Sequence, residues 1–305
     1  MAKGPFILHG ASKKIGNMVV YKNPNSNNAD TTIAREYVAE VKNPRTEAQA
    51  TQRMRLAPAQ AFYRAFRSIL NHSWQGVKYG GRSYAHFMRV ALADKNLKIP
   101  YQVKGDTAFV PGAFPVSQGS LPSVVIDSTG FLTGVLQTRL NVLRTAAADT
   151  ATLGALSSSL LSLNPSLQLG DILTFMWVEY INGLYEPRYF RLRLDPTSTM
   201  TLEQAGISFT LATDDNTSFL CLEAITGSIV AGAVIVSREP ATASDNWLRS
   251  NASMVLSTDQ FIAYFTEEAK AAAITSYRSN ASSVNAYWYL NGGDINQDAP
   301  VDPRP

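Results

Sequence analysis

The sequence predicts an α+β fold, mainly β: a basic N-terminal β-hairpin arm and a helical hairpin, followed by a β-sandwich-like body with a C-terminal helix. Three observations carry this. Helical spacing with capping signals is confined to a stretch before residue 100 and another after residue 258. Between them, short runs rich in Thr, Ser, Val and Leu are broken by turn residues at the intervals of an all-β layer. The charge also divides between these regions: residues 1–104 hold 17 Lys and Arg against 5 Asp and Glu, a net of +12, and residues 105–305 hold 10 against 19, a net of −9. With 305 residues, 45% of them hydrophobic and 17% charged, the chain is long enough to build a sizeable core.

The sequence divides into an extended arm (1–42), a helical hairpin (43–100), a body (101–290) and a tail (291–305). In the arm, Pro5-Phe6-Ile7-Leu8 and Asn17-Met18-Val19-Val20-Tyr21 are β-prone runs separated by a stretch with glycine at each end, Gly10 and Gly16. Lys13 and Lys14 are expected at the tip of that hairpin. A further strand is expected over residues 32–38. Asn43 as cap, Pro44 in the first turn, and Thr46 followed by Gln49 open a helix that should run to about Leu70, with a kink or break at Pro58, which lacks an amide hydrogen. Phe62, Phe66, Ile69 and Leu70 form its apolar stripe, with Arg64 and Arg67 off it and Arg53 and Arg55 continuing the basic surface upstream. A second helix should begin after Gly80-Gly81, capped by Ser83, with Phe87, Val90 and Ala91 facing a core.

In the body, strands are expected over residues 123–127, 135–140, 172–180, 188–194, 207–213, 219–223 and 231–237. The near-continuous hydrophobicity of residues 171–179 marks a strand covered on both faces. Asn182-Gly183 supplies a hairpin turn, after which the alternation through Leu194 points the arginines away from the core. A helix beginning at Thr258-Asp259 should turn Phe261, Ile262, Phe265 and Ala269 inward and leave Glu267, Glu268 and Lys270 in solvent. The tail, from Gly292-Gly293-Asp294 onward, has no periodicity and is expected to order only against a partner.

Chemistry is hard to find in this chain. His9, His72 and His86 lack metal-ligand spacing with a cysteine or carboxylate cluster, so no metal or other cofactor is expected. The glycine-punctuated basic stretches 10–16 and 76–82 lack the Gly-Lys-Ser/Thr ending of a phosphate loop. Cys221, within Phe219-Leu220-Cys221-Leu222, reads as a small buried hydrophobe. No window is apolar enough for a membrane span and the N-terminus lacks a secretory pattern, so synthesis in a cytoplasm and no membrane partner are expected. An enzyme is not expected. The charge division instead argues for a basic surface that meets nucleic acid, an acidic protein face or a neighbouring copy, or that docks on the chain's own acidic body. Basic and aromatic residues interleave in Tyr63-Arg64-Ala65-Phe66-Arg67 and from Trp74 to Tyr79. That pattern suits either a nucleic-acid surface or an amphipathic helix whose rings are core.

The opening that ends in Gly16-Asn17-Met18-Val19-Val20-Tyr21, the basic turn from Lys42 to Gln49 followed by Gln52-Arg53, and Gly81-Arg82-Ser83-Tyr84-Ala85-His86-Phe87 together resemble a domain family of Bacteroidetes and their phages. In the body, Ala233-Val234-Ile235-Val236-Ser237-Arg238 leading to Trp247-Leu248-Arg249-Ser250 looks like the family's late strands. The chain is similar to auxiliary capsid proteins of crAss-like phages. The resemblance implies a virion protein attached to the major capsid protein, in contact with copies of itself or other virion proteins, and it brings no catalytic residues. The residues expected to meet the partner are Lys13, Lys14, Arg45, Arg53, Arg55, Arg64 and Arg67. A nucleic-acid-binding role for the basic third, or a neck or tail-associated structural role, is the alternative.

Overall fold

The computed structural model describes residues 3–4, 13–15, 18–22, 32–36, 46–93, 109–148, 150–214, 217–240, 247–257, 267–268, 271–272 and 274–275. The fold is mixed α+β, about a third helix and a third strand, with several antiparallel sheets. It forms two compact units, Met1–Thr46 and Glu47–Pro305.

The first unit contains a four-stranded antiparallel sheet of β1 (Lys3–Gly4), β2 (Lys13–Ile15), β3 (Met18–Lys22) and β4 (Thr32–Glu36), in the order β1-β4-β3-β2. The expected strand over 32–38 is thus present as β4. Lys13 and Lys14 are not at a hairpin tip: they pair with Val20 and Val19, and Ile15 pairs with Met18, leaving two residues between the strands. The seven-residue stretch from Gly10 to Gly16 is therefore part strand. The proposed strand at 5–8 lies outside the described residues.

The second unit begins with α1 (Glu47–Ala65), α2 (Arg67–Leu70) and α3 (Gly81–Ala93). Pro58 lies inside α1 and is buried, and the helix continues past it; the interruption falls instead at Phe66, where the backbone leaves helical geometry (φ −106°, ψ 23°). Helix packing holds the segment around the missing hydrogen bond, since Ala59 and Phe62 in the next turn are fully buried. Ser83 does not cap α3 but sits within its first turn, where its hydroxyl donates to the carbonyls of Asn71 (2.8 Å) and Lys78 (3.1 Å). Asn43 and Pro44 lie outside the described residues.

There follow β5 (Pro115–Ser117), β6 (Ile126–Asp127), β7 (Leu136–Asn141), α4 (Leu153–Leu163), β8 (Ile172–Ile181), β9 (Leu184–Arg193), β10 (Phe209–Asp214), β11 (Thr217–Leu222), β12 (Ser228–Arg238), β13 (Leu248–Arg249), β14 (Ala252–Ser253) and β15 (Val255–Leu256). The central sheet runs β13-β12-β8-β9, with β15 also on β12; a second sheet runs β10-β11-β7-β6, and β14 pairs with β5. All these pairings are antiparallel. The β8–β9 hairpin turns at Asn182 and Gly183, with φ of 49° and 87°. Both lie in the left-handed region that a two-residue hairpin turn demands, which Asn-Gly adopts at least cost.

The central sheet is covered on both faces, as the run in β8 implied. Met176 and Val178 of β8 with Ala233 and Ile235 of β12 pack against Phe62 of α1, Phe66 at the α1–α2 junction and Phe87 of α3. Phe175 and Trp177 with Val234 and Val236 pack against Leu136 of β7, Leu220 of β11, and Leu156 and Leu160 of α4. The side chains alternate faces along each strand, as pleating requires. A register shift between Ile229 and Ala231 lets the neighbours Val230 and Ala231 both join the helix side. The segments drawn as a helical hairpin (43–100) and a body (101–290) therefore share one core from residue 47 onward.

Helix α4 has no counterpart in the sequence reading. Thr152 caps it by accepting from the Ala155 amide (3.1 Å), and Ser157, Ser158 and Ser162 donate to carbonyls three or four residues back. Of these, Ser157 is buried and its back-bond satisfies the hydroxyl inside the core, while Ser158 and Ser162 are exposed. Toward the C-terminus the described residues 267–268, 271–272 and 274–275 are helical; Glu267 and Glu268 are exposed and Ile274 is buried. The inward positions expected there, Phe261, Ile262, Phe265 and Ala269, and the tail lie outside the described residues.

Candidate docking surface and cationic cleft

The predicted partner-binding residues are spread over both units. Lys13 and Lys14 belong to β2 of the first, and Arg45 lies outside the described residues. Arg53 and Arg55 are half-buried on α1, while Arg64 and Arg67 are exposed. Arg53 and Arg64 fall on the same side of α1, about three turns apart. Buried neighbours fix this basic surface, because Phe62, Tyr63, Phe66, Ile69 and Leu70 are inside and leave Arg64 and Arg67 outward. The aromatic members of the interleaved pattern are thus mostly core: Tyr63 and Trp74 are 6% and 4% exposed, and Tyr79, at 75%, is the exception. Burial, the largest influence, pushes the Tyr63 hydroxyl's pKa up.

Ion pairs described in the second unit join residues of its acidic remainder: Arg139 with Asp127, Arg188 with Glu186, and Arg238 with Asp171. Arg64 and Arg67 are in none of them. Two further arginines, from β9 and β13, stand beside the helical segment. Arg191 Nη2 donates to the Ser68 carbonyl (3.3 Å), next to Arg67, and Arg249 Nε donates to the His72 carbonyl (2.8 Å). With Trp74, Lys78, Tyr79 and Trp247 they line a cleft of about 1110 Å³ between the loop after α2 and the central sheet. Burial, then the neighbouring Arg191 charge, lowers the pKa of Arg249 to about 10. His72 is likewise lowered, by burial first and then by Arg191 and Arg249. Among the described residues, no Asp or Glu lines this cleft.

The cleft wall is held by a tight seam. Gln75 Oε1 accepts from the Ser120 amide (3.0 Å), the Ser120 hydroxyl (3.1 Å) and the Arg249 amide (3.2 Å). Gly119 lies against it so closely that a Cβ there would stand 2.1 Å from the Arg249 carbonyl oxygen and 2.7 Å from Gln75 Oε1. Gly119→Ala is expected to destabilise the protein by about 1–3 kcal/mol, the cost of overpacking, read as a lower urea midpoint.

Sequence reasoning singled out Lys78 and the aromatics from Trp74 to Tyr79 but missed Arg191 and Arg249. The only signal was the alternation in β9 that turns Arg191 outward, together with the Trp247-Leu248-Arg249 run. Cys221 is buried as expected, and burial raises its thiol pKa. Among the described residues, no group of three His, Cys, Asp or Glu is placed to hold a metal, and no helix is long and apolar enough to cross a membrane. No family model, curated protein or solved structure matches this chain.

Proposed function

We propose that the chain is a non-enzymatic structural protein of a tailed-phage virion, an auxiliary or decoration component seated on the major capsid lattice. The observation that carries this reading is the cationic surface of α1 and α2, in which Arg64 and Arg67 stand exposed on helices anchored by Phe62 and Phe66. Rigidly mounted charges of one sign fix the register and orientation of a docked partner more than they add affinity. The resemblance of residues 16–21, 42–53 and 81–87 to virion proteins of crAss-like phages supports the same assignment. In it, the central sheet and the β10-β11-β7-β6 sheet form a sandwich-like body that bridges lattice positions, and the basic first third anchors on capsid subunits. Such a protein is made in the bacterial host cytoplasm and carried in the particle.

Nucleic acid is the second reading, favoured by the exposed Tyr79 ring beside cations in the cleft. A salt titration separates the two. On the capsid reading, the purified chain co-sediments with assembled particles and is not retained on duplex DNA even at low salt. Retention on DNA that falls by about a thousandfold between 50 and 200 mM salt would instead support the nucleic-acid reading.

A further inference from the structure

The cleft combines features that the docking surface lacks. Arg191 and Arg249 come from different strands, β9 and β13, and each is tied to a backbone carbonyl through one nitrogen, so their guanidinium groups are held in place rather than waving in solvent. Lys78, from the loop after α2, adds a third cation to the lining, and no described carboxylate balances them. Fixed guanidinium forks match phosphate oxygens better than single charges do. Planar rings accompany the charges. Tyr79 is 75% exposed, with its ring centroid 5.6 Å from that of His72, and Trp247 lies beneath the Arg249 guanidinium at 5.3 Å.

We propose that this cleft is a nucleotide site, which takes a phosphate group on Arg191 and Arg249 and stacks a base on the ring of Tyr79. Its volume suits such a ligand, since small-molecule clefts run to about 1,000 Å³. The ligand is either a free nucleotide or the phosphorylated end of a single strand, which share the same chemistry. The assignment stands apart from the docking reading, because it uses residues the outer basic surface does not.

Titration of the full-length chain with ADP, inorganic pyrophosphate and a 5′-phosphorylated ten-residue oligothymidylate, followed by calorimetry in about 0.1 M salt, tests it. ADP or the oligonucleotide binds saturably, and Arg191→Ala weakens that binding by about tenfold or more. Tyr79→Ala weakens it by roughly fivefold or more while leaving pyrophosphate affinity within about twofold. Both side chains are exposed, so an unchanged urea midpoint confirms that each variant is folded. ADP binding more tightly than the oligonucleotide identifies the free nucleotide as the source; the reverse order identifies a strand end. Absence of saturable binding by both, wild-type affinity in both variants, or pyrophosphate binding as tightly as ADP with no effect of Tyr79→Ala would each overturn the proposal.

Discussion

Asp171→Ala is expected to lower the stability of the second unit by about 3–5 kcal/mol, because it leaves Arg238 without its partner in a largely buried setting. Asp171 is fully buried and accepts two hydrogen bonds of 2.7 Å from Arg238, one from Nε and one from Nη2, and a third of 2.8 Å from the Gln168 amide. Arg238 in turn reaches the Ser166 carbonyl (3.0 Å) and closes the loop before β8 onto the end of β12. These bonds to Asp171 raise the pKa of Arg238; without them the guanidinium still keeps its charge, because arginine stays protonated at any ordinary pH. The variant should therefore show a lower urea midpoint. Asp171→Ala combined with Arg238→Met should recover part of the loss, since the stranded charge is then gone as well.

Phe62→Ala is expected to cost about 3–5 kcal/mol, the range for deleting a buried aromatic side chain. The ring is fully buried, with centroids of Phe66, Phe87, Phe109 and Phe114 at 5.1, 6.1, 6.1 and 4.9 Å. Phe66 links α1 to α2, Phe87 belongs to α3 and Phe114 precedes β5, so one side chain joins the helical segment to the sheet. Helix content by far-UV circular dichroism and the assigned fluorine NMR signal of Trp177 in β8, in chain labelled with 5-fluorotryptophan, should therefore fall together in urea, both at a lower midpoint than in the wild-type chain. Two separate transitions, with the Trp177 midpoint unmoved, would mean that the helices form a domain of their own. Arg64→Ala, an exposed substitution two residues away, should change stability by less than about 0.5 kcal/mol and serves as the control.

The parts of the fold set by local pattern were legible in the sequence. The apolar run of β8, the Asn182-Gly183 turn and the stripe through Phe62, Phe66 and Leu70 each depend on neighbours within a few positions, and each appears in the structure. Helix α4 was not legible, because its serines satisfy themselves on carbonyls one turn back, which no hydrophobic spacing reveals. The placement of Lys13 and Lys14 was missed because glycine at both ends of a stretch suggests a loop, whereas pairing with Val20 and Val19 makes it strand. The cleft was the least visible feature. Arg191 and Arg249 reach it from separate strands and meet a loop more than a hundred residues earlier, so their juxtaposition exists only after the sheet has formed.

The docking account is tested most directly by the occupancy of an Arg64→Glu/Arg67→Glu chain on assembled capsids, measured by co-sedimentation and averaged particle images beside the wild type. Both positions are exposed, so the fold should survive the change. Reversing two cations that face an anionic partner should cut occupancy by about tenfold or more, and the deficit should deepen as salt is lowered. Occupancy equal to that of the wild type at low salt would contradict the account.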